Sequence, residues 1–145
     1  MGLLKDKVAI VTGAGGGLGR AHATLLAAHG AKVIVNDLGG ARDGTGSGAS
    51  MADSVVAEIT EAGGTAVANY GSVTDESAAR EMVQTAVDHY GGLDILINNA
   101  GILRDRSFKN MTHDEWDSVI DVHLRGSYLT THFAWQQMLA QGRGG

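Results

Sequence analysis

Apolar residues in this chain gather in four short runs, at residues 8–12, 32–37, 65–69 and 93–98. Within them Val8-Ala9-Ile10-Val11, Val33-Ile34-Val35 and Ile95-Leu96-Ile97 show no alternation with polar residues. Each run therefore reads as a strand covered on both faces, the condition of a parallel sheet. Between the runs the period changes. Over residues 75–90, Ala79, Met82, Val83, Ala86, Val87 and Tyr90 recur at helical spacing and Gly91-Gly92 stops the pattern; Met51, Val55, Ile59 and Ala62 make a second stripe, ended by Gly63-Gly64. Thr112-His113-Asp114-Glu115 is a capping box, and the helical pattern behind it runs to about Gln141. One unbroken helix over residues 112–141 would measure about 45 Å. It carries two apolar stripes, Trp116, Val119, Ile120 and His123 on one and Val122, Gly126, Leu129 and Phe133 on the next. So wide a surface predicts burial against the sheet on one side and against a second copy of the chain on the other.

Strand alternating with helix predicts βαβ units, with helices on both faces of one parallel sheet. The first junction of that kind is Thr12-Gly13-Ala14-Gly15-Gly16-Gly17-Leu18-Gly19, between the first strand and a helix-like segment, and Asp37 closes the next apolar run. A glycine-rich turn in that position brings backbone N–H groups up to a pyrophosphate and aims a helix N-terminus at its charge, while a strand-end carboxylate suits the two hydroxyls of a ribose. The fold class expected is thus α/β, a Rossmann-type doubly wound parallel sheet of about four strands with flanking helices and a long final helix. Asn98-Asn99-Ala100-Gly101 makes a later turn at the end of the fourth strand, on the same sheet edge. Immediately after Asp37 comes the glycine-rich stretch at residues 39–48, which reads as a mobile surface loop.

The 145 residues suffice for one core. A formal charge of −5 without a basic run gives no electrostatic footprint for nucleic acid or an anionic membrane. With no cysteine, disulfides, thiolate catalysis and cysteine-ligated metal all fall away, and the histidines lack metal-ligand spacing, so no metal site is expected. The opening Met1-Gly2-Leu3-Leu4-Lys5-Asp6 holds no long apolar segment, and a soluble cytoplasmic protein is the default. The 22 glycines act as punctuation between apolar segments.

The glycine turn, Asp37 and Asn98-Asn99-Ala100-Gly101 together resemble the short-chain dehydrogenase/reductase family over essentially the whole chain. Val35-Asn36-Asp37-Leu38-Gly39-Gly40, Ala68-Asn69-Tyr70, residues 101–108 and Val122-His123-Leu124-Arg125-Gly126-Ser127 look, within it, like the (3R)-hydroxyacyl-CoA dehydrogenase part of peroxisomal multifunctional β-oxidation enzymes and their bacterial relatives. The resemblance implies NAD as cofactor and a secondary alcohol or ketone, preferably a 3-hydroxyacyl-CoA, as substrate. It puts Gly13, Gly17, Leu18 and Gly19 beside the pyrophosphate and nicotinamide, Asp37 on the adenosine ribose, Ser72 and Val73 at the adenine, Asn99, Ala100 and Gly101 beneath the cofactor and Val122 close to it. Most of the family carries Asp where Ser72 stands. His123 occupies the place of an Asn that supports a proton relay; from its apolar stripe alone it is equally a hydrogen-bonded core residue. Arg104, Asp105 and Arg106 are either a solvated cluster or a substrate-positioning group.

The family's catalytic Ser, Tyr and Lys come from the strand and helix that follow, so residues 1–145 read as the front, NAD-binding portion of a larger domain, inactive alone and associating through the 112–141 helix. Other readings are a 3-oxoacyl carrier-protein reductase, whose usual phosphorylated cofactor Asp37 disfavours, and a non-catalytic nucleotide-binding or dimerisation module. A peroxisomal location is the alternative to the cytoplasm.

Overall fold

The computed structural model describes residues 2–145; Met1, the first residue of the opening segment, lies outside them. Four parallel strands form one sheet: β1 (Val8–Val11), β2 (Lys32–Asn36), β3 (Thr65–Asn69) and β4 (Ile95–Ile97). Their order is β3-β2-β1-β4, and in-register pairing sets Ile10 beside Ile34 on one side and Leu96 on the other. Each expected strand exists. The fourth is shorter than expected: Gln141 clasps both polar groups of Leu93, and Asp94 N–H donates to Val8 O of β1 just ahead of the paired residues.

Among the described residues there are five α-helices, of which all but the fourth pack on the sheet or its covering layer: α1 (Gly17–Ala28), α2 (Ser50–Glu61), α3 (Glu76–Tyr90), α4 (His113–Ile120) and α5 (Gly126–Gln141). The non-alternating strands have the two faces they require. Val11, Val33 and Val35 pack on Ala23 and Ala27 of α1 and Ala52, Val55 and Ile59 of α2. Val8, Ile10 and Ile34 pack on Ala79, Met82 and Ala86 of α3 and Leu129 and Phe133 of α5. In α2 Ala52 takes the core place expected of Met51, beside Val55 and Ile59; Met51 lines the cleft, and Ala62 lies past the helix end. Asp75 caps α3 through Ala78 N, and Gly91 ends it with φ 81°.

The long last helix is not a single α-helix. The capping box forms as expected, Thr112 Oγ1 accepting from Glu115 N–H and Glu115 Oε2 from Thr112 N–H. Residues Asp121–Arg125 then make a π-turn, in which Gly126 N–H reaches back five residues to Asp121 O. One extra residue rotates α4 against α5 by about 100°. Of the two expected stripes only Gly126, Leu129 and Phe133, with half-buried Val122, reach the core; Trp116, Ile120 and His123 stay exposed, and α4 buries nothing. The chain end folds back under the sheet, where Arg143 Nε donates at 2.8 Å to Asp94, whose other carboxylate oxygen accepts from Val8 N–H at 2.9 Å.

Candidate functional site

All four strands deliver their carboxyl ends to one rim, and the turns leaving them enclose a cleft of about 590 Å³. It is lined by Gly13, Gly16 and Gly17 after β1, Asp37 and Leu38 after β2, residues 71–74 after β3, and residues 99–102 after β4. Between β1 and β4 the strand order reverses, which is where ligands of such sheets bind.

The turn after β1 is built by close approach. Gly13 has φ 61°, and a Cβ there would lie 2.8 Å from Ala100 Cα. Gly19, expected beside the cofactor, has a packing task as well: a Cβ would stand 2.3 Å from Gly13 O and 2.5 Å from Asn99 Nδ2, so only glycine lets α1 dock on the turn. Gly17 is the position open to the cleft, at φ 53°, where a Cβ would meet no atom within 4 Å. Leu18 is exposed and lines nothing, which leaves its backbone N–H as its contribution. No side chain caps α1, and the first bond to its cap is Arg20 N–H to Gly16 O. The N–H groups of Gly17, Leu18 and Gly19 thus lie ahead of the helical ladder, at the helix end where Gly17 leaves space free. That cradle fits a pyrophosphate.

Asp37 sits at the rim with its carboxylate fixed. Oδ2 accepts from Gly15 N–H at 2.8 Å and Oδ1 from Gly39 N–H at 2.7 Å. Each oxygen keeps a lone pair for a ribose hydroxyl. Space beside it is closed, since a Cβ on Gly15 would fall 2.7 Å from both Asp37 Oδ2 and Met51 Cβ. The preceding residue, Asn36, is buried in the strand and donates to Asn69 Oδ1 at 2.8 Å and Gly71 O at 2.9 Å. It thereby shapes the turn that carries Ser72 and Val73. Ser72 Oγ pairs with Thr74 Oγ1 at 2.9 Å, and Val73 is held by Gly126 of α5, where a Cβ would come within 2.7 Å of Val73 Cγ2.

The turn after β4 is locked to the turn after β1. Thr12 Oγ1 accepts from the N–H groups of Asn99 and Ala100, both at 3.0 Å, and Asn99 Nδ2 donates to the carbonyls of Thr12 and Gly13. The Asn99 side chain is therefore spent on structure, and Ala100 and Gly101 present backbone to the cleft. Asn98 points the other way, accepting from Thr130 Oγ1 at 2.6 Å. His123 does not line the cleft. Its ring lies over Gly101, and Nε2 is 3.1 Å from both N and O of Ile102, so it serves one of them in each tautomer. Val122 lines the cleft beside it, with Ser118 and Asp121.

Four contributors do not stand out in the sequence: Asn36, Met51, Ile102 and Gly126. Asn36 does carry a signal, an amide inside an apolar strand that a sheet interior accepts only when its hydrogen bonds are met. The stretch at residues 39–48 departs from expectation in another respect. It is not a free surface loop but is bonded across to the segment after β4, Leu103 N–H donating to Arg42 O at 2.7 Å. The reason is that its glycines let it turn back over the cleft, bringing Arg42 and Gly44 into the lining.

Residues 7–145 match the family model for short chain dehydrogenase. The chain belongs to the short-chain dehydrogenase family. A peroxisomal multifunctional enzyme A of Dictyostelium discoideum is 59% identical over 134 residues, which are 92% of this chain and 30% of that protein. A hydroxyacyl-CoA dehydrogenase, ChsB1, of Mycobacterium tuberculosis is 46% identical, over 98% of this chain and 44% of its own length. Among solved structures, a short chain dehydrogenase from Mycobacterium avium superposes with a TM-score of 0.88 at 50% identity, covering 99% of this chain and 52% of that one. The chain spans about half the length, or less, of these proteins.

Proposed function

We propose that the cleft binds NAD, and that the protein is an oxidoreductase exchanging a hydride with a secondary alcohol or ketone, its substrate a 3-hydroxyacyl-CoA. The observation that carries the cofactor reading is Asp37, fixed at the rim by Gly15 and Gly39 N–H groups at 2.8 Å and 2.7 Å. A carboxylate there accepts from ribose hydroxyls and repels a 2′-phosphate. No basic side chain fits at Gly15 to offset it, because Asp37 and Met51 fill that volume. When bound, the nicotinamide supplies or accepts the hydride. The protein's part is to orient it: Gly17 and the α1 N-terminus at the pyrophosphate, Ser72 and Val73 at the adenine, Ala100, Gly101 and Val122 along its length. His123, tied to Ile102, supports the proton path.

The substrate reading draws on the relatives, one a hydroxyacyl-CoA dehydrogenase and one a peroxisomal multifunctional enzyme. The family's Ser, Tyr and Lys have no counterpart among residues 1–145, so the 145-residue polypeptide alone is expected to be inactive. The exposed Tyr128, Trp135 and Leu139 of α5 suit association with a second copy. The test is NADH formation from a 3-hydroxyacyl-CoA, comparing the bare chain with one lengthened by the following segment of a close relative. Turnover is expected only from the longer chain. Turnover by the bare chain, or hydride transfer to the phosphorylated cofactor alone, would contradict the proposal.

A further inference from the structure

The stretch between β2 and α2 forms a ring standing on the cleft rim. At its base Gly39 N–H donates to Asp37 Oδ1 at 2.7 Å and Gly48 N–H to Leu38 O at 2.9 Å. At its tip Ala41 N–H donates to Thr45 O at 2.8 Å and Gly44 N–H to Ala41 O at 2.9 Å. Gly39, Gly44 and Gly46 take φ values of 80°, 83° and 76°, which is how so short a ring closes. The tip rests on the segment after β4. Leu103 N–H donates to Arg42 O at 2.7 Å, the Arg104 guanidinium donates to Asp43 O, and a Cβ on Gly44 would lie 3.0 Å from Ile102 Cγ2. Ile102 is itself held by His123. The ring therefore spans the cleft from the Asp37 side to the Gly101 side, and both Arg42 and Arg104 line the space beneath.

We propose that residues 39–48 are a clasp over the bound dinucleotide, and that Arg104 is the positioning residue that keeps it shut. This rests on the NAD reading above. Arg104 reads a backbone oxygen, while the Asp43 carboxylate is occupied by the N–H and hydroxyl of Thr45 and meets Arg104 only by attraction through space. A hydrogen bond from a charged donor corresponds to about tenfold in an opening equilibrium. Arg42, exposed at the tip, gives trypsin a reporter of opening in the cofactor-free protein.

The experiment compares the parent protein with Arg104→Ala, Arg104→Lys and Asp43→Asn. It measures tryptic cleavage after Arg42 without cofactor, then the NAD dissociation rate and Kd. Arg104→Ala is expected to speed both cleavage and dissociation about tenfold with the melting temperature unchanged. Arg104→Lys should recover part of the loss, and Asp43→Asn, whose amide oxygen still accepts from Thr45, should lie far closer to the parent than Arg104→Ala does. If the parent binds NAD and Arg104→Ala leaves cleavage and dissociation unchanged, the clasp is refuted alone. A parent that binds no NAD refutes the cofactor reading and the clasp's task with it, whatever the cleavage rates.

Discussion

Gly19→Ala probes how the first helix is seated on the glycine turn. The added methyl would lie 2.3 Å from Gly13 O, 2.5 Å from Asn99 Nδ2 and 2.9 Å from Ala14 Cα. Two of the three are backbone atoms of the turn itself, so no side chain can swing aside. Helix α1 must retreat by roughly 1 Å to reach an ordinary contact distance. Overpacking of this kind costs about 1–3 kcal/mol, and rigid neighbours put this site near the upper end. For a chain of this length the melting temperature should fall by roughly 6–12 °C. Retreat also draws the N–H groups of Gly17 and Leu18 away from the cleft, so the Kd for NAD should rise by about tenfold or more. Thermal melting by circular dichroism and calorimetric titration read the two effects. Gly16→Ala is the control, because φ there is −172° and the nearest atom to its Cβ would be Met51 Cε at 3.5 Å; its melting temperature should stay with the parent's. A Gly19→Ala protein that melts with the parent and binds NAD equally well would refute the packing argument.

Gly17→Val is expected to abolish dinucleotide binding, since a β-branched residue resists φ 53° and its side chain would occupy the cradle; unchanged affinity in a folded variant would contradict this. In the lengthened enzyme His123→Ala should lower kcat by about 10²-fold and alter the pH–rate profile while leaving the melting temperature near the parent's, because the ring is exposed; unchanged kinetics would leave His123 only its tie to Ile102. Burial would raise the Asp94 carboxyl, but its bonds to Arg143 and Val8 N–H outweigh that and hold it below the ordinary aspartate range. Its stabilisation is thus present above that range and lost as pH falls below it, through the lowered value. Arg143→Ala should lower stability at neutral pH and move the acid loss to higher pH, because Asp94 loses the partner that holds its carboxyl down; urea unfolding across pH checks both, and an identical profile would contradict them.

Strands, helices and the glycine turn are legible because local pattern specifies them. Val8-Ala9-Ile10-Val11 needs two covered faces and finds α1 on one and α3 on the other. The π-turn at Asp121–Arg125 is not legible, since nothing in Val122-His123-Leu124 breaks helical spacing. The contacts that its two ends make lie far off in sequence: Val73 against Gly126, and Ile102 against His123. Residues 39–48 read as a free loop for the same reason. Glycine content suggests freedom, whereas the bonds to Leu103 and Arg104 depend on the fold having brought β2 and β4 to one rim. Motif alone puts Gly19 at the cofactor; its contacts add a packing task that the motif does not show, and Gly17 keeps the open position.

Cofactor choice turns on Asp37, and a paired titration of NAD and its 2′-phosphorylated form against the purified protein tests it most directly. Micromolar-range binding of NAD is expected, with the phosphorylated form weaker by about tenfold or more from carboxylate–phosphate repulsion. Asp37→Ala should narrow that gap. Equal or tighter binding of the phosphorylated cofactor to the parent protein would contradict the central claim.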